Sequence, residues 1–253
     1  MPSASDDLAY SLDPVLWARE VLGYHPDPWQ ADLLRSRSRK IILNCSRQSG
    51  KSTTCAALGL HESIYRRPSF GLVIAPSQDQ SAELMMKFDE FRGAVELPSD
   101  YLSNDTKLAV KFANGNRFVA RPGSEKTARS FSAVTLLLED EAARVLDDLY
   151  NAVRPMLAVS NGRHIIMSTP FGRRGHFFKI WDKERDLWES YEIPAEQCPR
   201  ITPEFLAEEK RTNPWFEQEY HCRFMETMDQ VFSNYTISKM FDCDIKPLWG
   251  DAI

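Results

Sequence analysis

Residues 40–65 hold the feature that most constrains this chain. Lys40-Ile41-Ile42-Leu43-Asn44 is a short apolar run that reads as a buried strand. Ser46-Arg47-Gln48-Ser49-Gly50-Lys51-Ser52 follows, and a helical stretch runs from about Lys51 to Tyr65. Strand, small-residue loop ending in Gly-Lys-Ser, then helix is the context that a phosphate-binding loop requires. Backbone N–H groups at the start of a helix have no intrahelical acceptor, so they converge on phosphate oxygens. One position departs from the usual pattern: Cys45 stands where the motif's first Gly is expected.

The rest of the chain keeps this rhythm. Residues 70–75, 134–138 and 164–168 read as further buried strands, with helical segments such as 81–91 between them. Segments 108–112 and 117–121 flank Asn114-Gly115, a hairpin signal. Buried strands alternating with helices imply an α/β fold of the P-loop NTPase kind, with a mainly parallel sheet between helices. Upstream, residues 1–11 read as a loose tail. Asp13-Pro14 starts a helix with Leu16, Trp17, Val21 and Leu22 on its apolar face. After Pro26-Asp27-Pro28 a second short helix carries Trp29, Gln30, Leu33 and Leu34. Past about residue 180 the pattern turns helical and charged, at 202–211 and 214–223. The expected organisation is a core over 1–180, a lid over 181–235 and a linker over 236–253.

Composition narrows the class. At 253 residues, 43% hydrophobic and 26% charged, the chain has the make-up of a globular protein. It lacks an apolar run of the roughly 18 residues that a membrane helix needs. MPSASDDLAY has neither the basic nor the apolar region of a secretion signal, so none is expected. Five cysteines (Cys45, Cys55, Cys198, Cys222 and Cys243) form no CxxC pair, which argues against a zinc site or disulfide framework and fits a reducing compartment. The net charge of −5 counts against binding nucleic acid by overall charge. Local basic surface is still available at Arg35, Arg37, Arg39 and Lys40, and at Arg173-Arg174. His176 and His221 read as ordinary polar residues, without ligand spacing.

A second chemical signal is Leu136-Leu137-Leu138-Glu139-Asp140-Glu141, an apolar strand ending in carboxylates. In a Walker B element Asp140 would hold Mg²⁺ and Glu141 would orient and polarise the attacking water. The register is open by one residue: Glu139 could serve the metal and Asp140 the water. The small Ala142-Ala143 pair favours Asp140 and Glu141. In the loop, Ser46, Arg47, Gln48, Ser49, Gly50 and Thr53 would surround the phosphates, Lys51 would reach the β- and γ-phosphates, and Ser52 would hold Mg²⁺.

Together these motifs resemble the ATPase domain of the large terminase subunits of tailed bacteriophages, over about residues 12–235. Arg47-Gln48-Ser49-Gly50-Lys51-Ser52 is similar to their arginine-bearing Walker A, and Glu139-Asp140-Glu141-Ala142-Ala143 to their Walker B. Ser168-Thr169-Pro170, with Phe171-Gly172 and Gly175-His176-Phe177-Phe178 after it, resembles their coupling motif. Val73-Ile74-Ala75-Pro76-Ser77, Pro28-Trp29-Gln30 and Gln218-Glu219-Tyr220 with Phe224 complete the likeness.

The resemblance implies ATP and Mg²⁺ as ligands, Gln30 against adenine, and Arg47 sensing the γ-phosphate in cis. Ser168 and Thr169 would couple hydrolysis to the lid. Arg129, in Ala128-Arg129-Ser130, would be the arginine supplied to a neighbouring subunit, with Arg121 and Lys126 as rivals. It further implies a homo-oligomeric ring, of five subunits, on the portal protein of a procapsid. A small terminase subunit would assist, and the ring would move double-stranded DNA in the host cytoplasm, away from any membrane. An isolated chain would be monomeric and slow. Large terminases continue into an RNase H-like nuclease. Asp242, Asp244 and Asp251 lie here without such a scaffold, so no nuclease activity is expected of this chain. A helicase-like ATPase would need a second RecA-like domain, for which no second P-loop sheet is visible. A non-catalytic ATP-gated assembly module would not need Glu141.

Overall fold

The structure is a computed structural model that describes residues 3–98, 100–122 and 131–226. Its strands are β1 Lys40–Cys45, β2 Phe70–Ala75, β3 Leu102–Thr106, β4 Ala109–Phe112, β5 Arg117–Pro122, β6 Leu136–Asp140, β7 Arg163–Ser168 and β8 Glu189–Ile193. Its helices are α1 Ala4–Leu12, α2 Pro14–Glu20, α3 Pro28–Arg35, α4 Lys51–Tyr65, α5 Gln78–Ala94, α6 Asp147–Val153, α7 Gly175–Lys183, α8 Pro203–Thr212 and α9 Phe216–Glu219.

The strands form one eight-stranded sheet in the order β3-β4-β5-β2-β6-β7-β1-β8. Every pairing from β5 to β8 is parallel, and β3 and β4 form an antiparallel edge. The loop strand β1 and the carboxylate strand β6 are not neighbours. β7 lies between them, pairing Asn44 with Ser168 on one side and Asp140 with Met167 on the other. The C-terminal ends of β1, β7 and β6 therefore lie side by side, the edge where open α/β sheets bind ligands.

Both faces of the sheet are covered, so its central strands are apolar throughout. Alternate residues still go to different layers. Ile41, Leu43, Val73, Leu136, Leu138, Ile165 and Met167 join the cluster that includes α4 and α5. Ile42, Leu72, Leu137 and Ile166 join the clusters that hold α6 and α7.

Three sequence expectations need correction. Residues 4–12 are helical instead of loose: Ser3 and Asp6 form a capping box, and Tyr65 donates a hydrogen bond to Asp7 at 3.1 Å. α1 buries no residue fully, so it carries little of the periodicity from which a helix is read. The sheet does not end near residue 180. Glu-Ser-Tyr-Glu-Ile (β8) pairs with β1 from Ile41↔Glu189 to Cys45↔Ile193, so the expected core boundary cuts it off from its own sheet. β8 and the polar β3 are edge strands, lacking the apolar run that marks a central one. The helix expected over 214–223 shrinks to the four residues of α9, while 236–253 lies outside the described residues.

Phe118 is fully buried and stacks on Phe88, with ring centroids 4.3 Å apart and planes 5° from parallel. Its ring fills the space beside two glycines: a Cβ at Gly71 would lie 2.3 Å from it, and one at Gly59 2.4 Å. The stacked partner stops the ring from yielding. Gly71→Ala is therefore expected to destabilise the fold by about 1–3 kcal/mol, as overpacking does. Thermal unfolding should show the midpoint falling by several degrees.

Candidate active site

The loop after β1 is held from three sides. Ser46 N–H donates to Ile193 O of β8 at 2.9 Å, and Arg47 N–H to Glu219 O of α9 at 2.9 Å. Gln48 and Gly50 both adopt left-handed backbone, at φ 60° and 89°. Gly50 caps α4, and a Cβ there would meet Gln30 Nε2 at 2.8 Å, so close approach as well as φ calls for glycine. The departure at Cys45 is accommodated because its side chain belongs to the core beneath the loop, where burial pushes the thiol pKa up to about 12.

Gln30 is 1% exposed. Its Nε2 donates to Ser49 O at 3.1 Å, and its Oε1 accepts from Asp27 N–H at 2.8 Å and Tyr24 O–H at 2.9 Å. The amide expected to face adenine thus braces the phosphate loop from behind. Arg200 repeats that contact from outside, donating to Ser49 O at 3.2 Å while pairing with Asp27 at 2.7 Å.

Across the cleft, alternation along β6 divides its acids between layers. Asp140 is on the α4 side and accepts a hydrogen bond from Ser52 Oγ at 3.0 Å. Burial raises its pKa above the ordinary value; Lys51 opposes this and Glu141 adds to it. Glu141 follows in left-handed backbone, φ 51° and ψ 40°, a sparsely populated conformation for a side-chain-bearing residue. Its Oε1 lies 3.4 Å from Lys51 Nζ and its Oε2 3.1 Å from Arg144. Burial alone would depress the Lys51 pKa, but Glu141 and Asp140 outweigh it and hold the ammonium above its usual value. Glu139 goes to the opposite face, 2.7 Å from His176 Nε2 and 3.2 Å from His164 Nε2. A strand turns successive side chains to opposite faces, so Asp140 faces Ser52 and Glu139 does not.

Loop, lysine, hydroxyl and the Glu141 carboxylate thus line a cleft of about 920 Å³, and Asp140 is bonded to the Ser52 hydroxyl of its lining. The family model described as "Terminase large subunit, T4likevirus-type, N-terminal" matches residues 42–239. The chain belongs to this family. Among curated relatives, the large terminase subunit of Thermus virus P23-45 is 28% identical over 171 residues, which is 60% of this chain and 35% of that protein. The Thermus phage G20c large subunit is 29% identical over 174 residues, with the same coverage. The chain spans about a third of the length of these relatives. The Thermus phage P74-26 large terminase ATPase domain superposes with a TM-score of 0.72 at 22% identity, covering 82% of this chain and 97% of that one. The HK97 large terminase gives 0.68 at 16% identity, covering 85% and 55%. These likenesses, together with a weaker one to Dbp5 of S. cerevisiae at 0.51 and 17% identity over 73% of this chain and 51% of that one, place the fold in the RecA-like P-loop class.

The other residues expected from the terminase resemblance are distributed unevenly. Ser46 is buried beneath the loop; Arg47, Gln48, Ser49, Gly50, Lys51, Ser52 and Thr53 line the cleft. Arg47 reaches Glu219, with Nε 3.4 Å from its carboxylate, and stays half exposed. Ser168 donates to Thr169 O at 2.7 Å, and the buried Thr169 Oγ1 has no hydrogen-bond partner among the described residues. Arg129 and its rival Lys126 lie outside the described residues, and Arg121 lies over the Phe131 ring, away from the cleft. Arg35 is taken up by Asp13 at 2.6 Å, and Arg173 donates to Phe224 O. His221 pairs with Glu196 and Glu217, and His176 is buried against Glu139. Arg200, Ile201, Thr202, Phe205 and Lys87 line the cleft without any sequence signal, since they belong to no motif and come from α5 and the segment around α8.

If Gln30 braces the loop, Gln30→Ala should weaken ATP and GTP by the same factor, as equilibrium titration would show; a loss confined to ATP would restore the adenine role. His176 is buried, which favours its neutral form, but Glu139 and Asp147 hold its pKa above the ordinary 6.5. The raised value means its charge adds stability that is complete below the unfolded-state pKa and lost as pH rises through the folded one. His176→Gln should therefore flatten the fall in thermal stability on the alkaline side of about pH 6.5.

Proposed function

We propose that this chain is the motor domain of a phage DNA-packaging machine, hydrolysing ATP to drive double-stranded DNA into a procapsid. The observation that carries this reading is the convergence of Lys51, Ser52, Asp140 and Glu141 at one cleft behind a left-handed phosphate loop. A pure binder would need the lysine and the loop. A carboxylate held opposite that lysine, one residue beyond the Asp140–Ser52 pair, suits the work of polarising water.

Ser52 and Asp140 supply hard oxygen donors 3.0 Å apart, the chemistry that Mg²⁺ takes. When bound, Mg²⁺ would neutralise charge on the phosphates. The loop N–H groups and Lys51 would bind the phosphates. Because Lys51 now pairs with Glu141, phosphate would compete for the ammonium and release a carboxylate oxygen toward the water. Arg200, Ile201 and Phe205 would line the base side of the cleft, beside the loop that Gln30 braces.

Family membership supports the remaining assignments. Arg47 lines the cleft beside the loop and would sense the γ-phosphate after leaving Glu219. Arg129 would complete a neighbour's site, and Ser168 and Thr169 would transmit hydrolysis to the segment beyond. The working form would be a ring of five on the portal, fed by a small terminase subunit, in the host cytoplasm. No helix among the described residues is long and apolar enough to cross a membrane.

Steady-state hydrolysis with Mg²⁺ over a wide protein concentration tests this. Wild-type turnover per subunit should climb with concentration. Glu141→Gln should lose roughly 100-fold or more, the scale of a lost general base, while still binding nucleotide. Arg129→Ala should abolish the concentration dependence. ATP binding without turnover in wild type would sink the hydrolase reading, and flat specific activity with active Arg129→Ala would sink the trans arginine alone.

A further inference from the structure

Glu141 is held by two different cations, one on each oxygen. Oε1 faces Lys51 Nζ at 3.4 Å, and Oε2 faces Arg144 NH1 at 3.1 Å. The two cations differ in what fixes them. Lys51 opens α4 within the nucleotide cleft. Arg144 ends the short turn Ala142–Arg144, where its N–H donates to Glu141 O at 2.8 Å, so the turn returns its side chain to the carboxylate three residues back. Beyond the carboxylate, the Arg144 guanidinium lies 4.3 Å from the centroid of the Phe171 ring. Arg174 also addresses that ring, at 5.2 Å. Phe171 belongs to the loop that leaves β7 directly after Ser168-Thr169-Pro170.

We infer that Arg144 is a positioning residue for the Glu141 carboxylate, and that Phe171 sets where Arg144 stands. This rests on the reading of Glu141 as the group that activates water. An exposed Arg–Glu pair by itself contributes little. Here the guanidinium is held at both ends, by a carboxylate and by an aromatic face, a combination that a planar cation makes and an ammonium does not. The consequence appears when phosphate draws Lys51 away. Oε1 is then released to the cleft while Oε2 stays on Arg144, so the carboxylate keeps its direction and presents one free oxygen. Glu141 sits in left-handed backbone, and its N–H donates to Asp140 Oδ1 at 3.0 Å, so its main chain is fixed and the side-chain direction is what Arg144 has left to decide. The same chain of contacts works in reverse. A shift of the loop after β7 moves Phe171, then Arg144, then the oxygen that faces water.

The test is steady-state ATP hydrolysis by the full chain with Mg²⁺, as a function of ATP. Wild type is compared with Arg144→Ala, Arg144→Lys, Phe171→Ala and the Arg144→Ala/Phe171→Ala double variant. ADP binding by each variant reports an intact cleft. Arg144→Ala should lower kcat roughly 10- to 100-fold, the range for groups that orient a functional partner, with KM within about threefold of wild type. Arg144→Lys should recover part of kcat, because it keeps the charge and loses the stack. Phe171→Ala should lower kcat in the same direction, and the double variant should be no slower than the slower single one, since both act through one contact. Wild-type kcat in Arg144→Ala overturns the inference, as does a raised KM with kcat unchanged. If wild type hydrolyses while Arg144→Ala matches it, this inference alone fails. If wild type hydrolyses nothing, the hydrolase reading fails and takes this one with it.

Discussion

The buried ammonium of Lys51, paired with Glu141 at 3.4 Å, is the interaction on which the rest of the cleft depends. Removing one partner of a buried ionic group costs several kcal/mol, on the order of 3–5, because the remaining charge is stranded. Lys51 and Glu141 therefore depend on one another, and Asp140 is tied to the same helix start through Ser52. That balance can exist only where the start of α4 and the end of β6 meet. Their meeting is enforced by β7, which pairs with both β1 and β6 and brings their C-terminal ends to one edge.

The same strand serves two layers. Asp140 turns toward α4 and Ser52, while Glu139 turns to the other face, against His164 of β7 and His176 of α7. Burial alone would raise the Glu139 pKa, but the two imidazoles pull it down to about 2. Asp147, at the start of α6, accepts from the backbone N–H of His176 at 2.7 Å and so ties α7 to α6. The charged strand end is therefore anchored behind as well as in front. A carboxylate that must stay within tenths of an ångström of its working position gains from a strand that cannot slide.

The phosphate loop is preorganised by parts of the chain far apart in sequence. Gln30 and Arg200 both hold Ser49 O, and β8 and α9 hold the backbone of Ser46 and Arg47. These contacts compensate for the left-handed residues Gln48 and Gly50, whose conformation has to be maintained by the surroundings. They also link the loop to the segment around α8 and α9, so movement of that segment is felt directly at the phosphate site.

What the sequence determined by itself was the set of chemical groups and the class of fold. The run Lys40–Asn44, the Gly-Lys-Ser start of α4 and the carboxylates after Leu138 are local patterns. Their meaning follows from chain periodicity and helix-end chemistry, which act over a few residues. The central strands were legible for the same reason, because full burial demands apolar runs. What only the tertiary structure decided depends on contacts between residues far apart in the chain. Which of Glu139 and Asp140 reaches Ser52 follows from which face of β6 meets α4. The work of Gln30 follows from Ser49 O lying 3.1 Å from its amide. The place of Arg200 and Phe205 in the cleft, and of β8 in the sheet, leaves no mark in local sequence, because a polar edge strand or an exposed arginine reads alike wherever it packs. Local physics writes itself into neighbouring residues; long-range packing joins residues whose spacing along the chain carries no period.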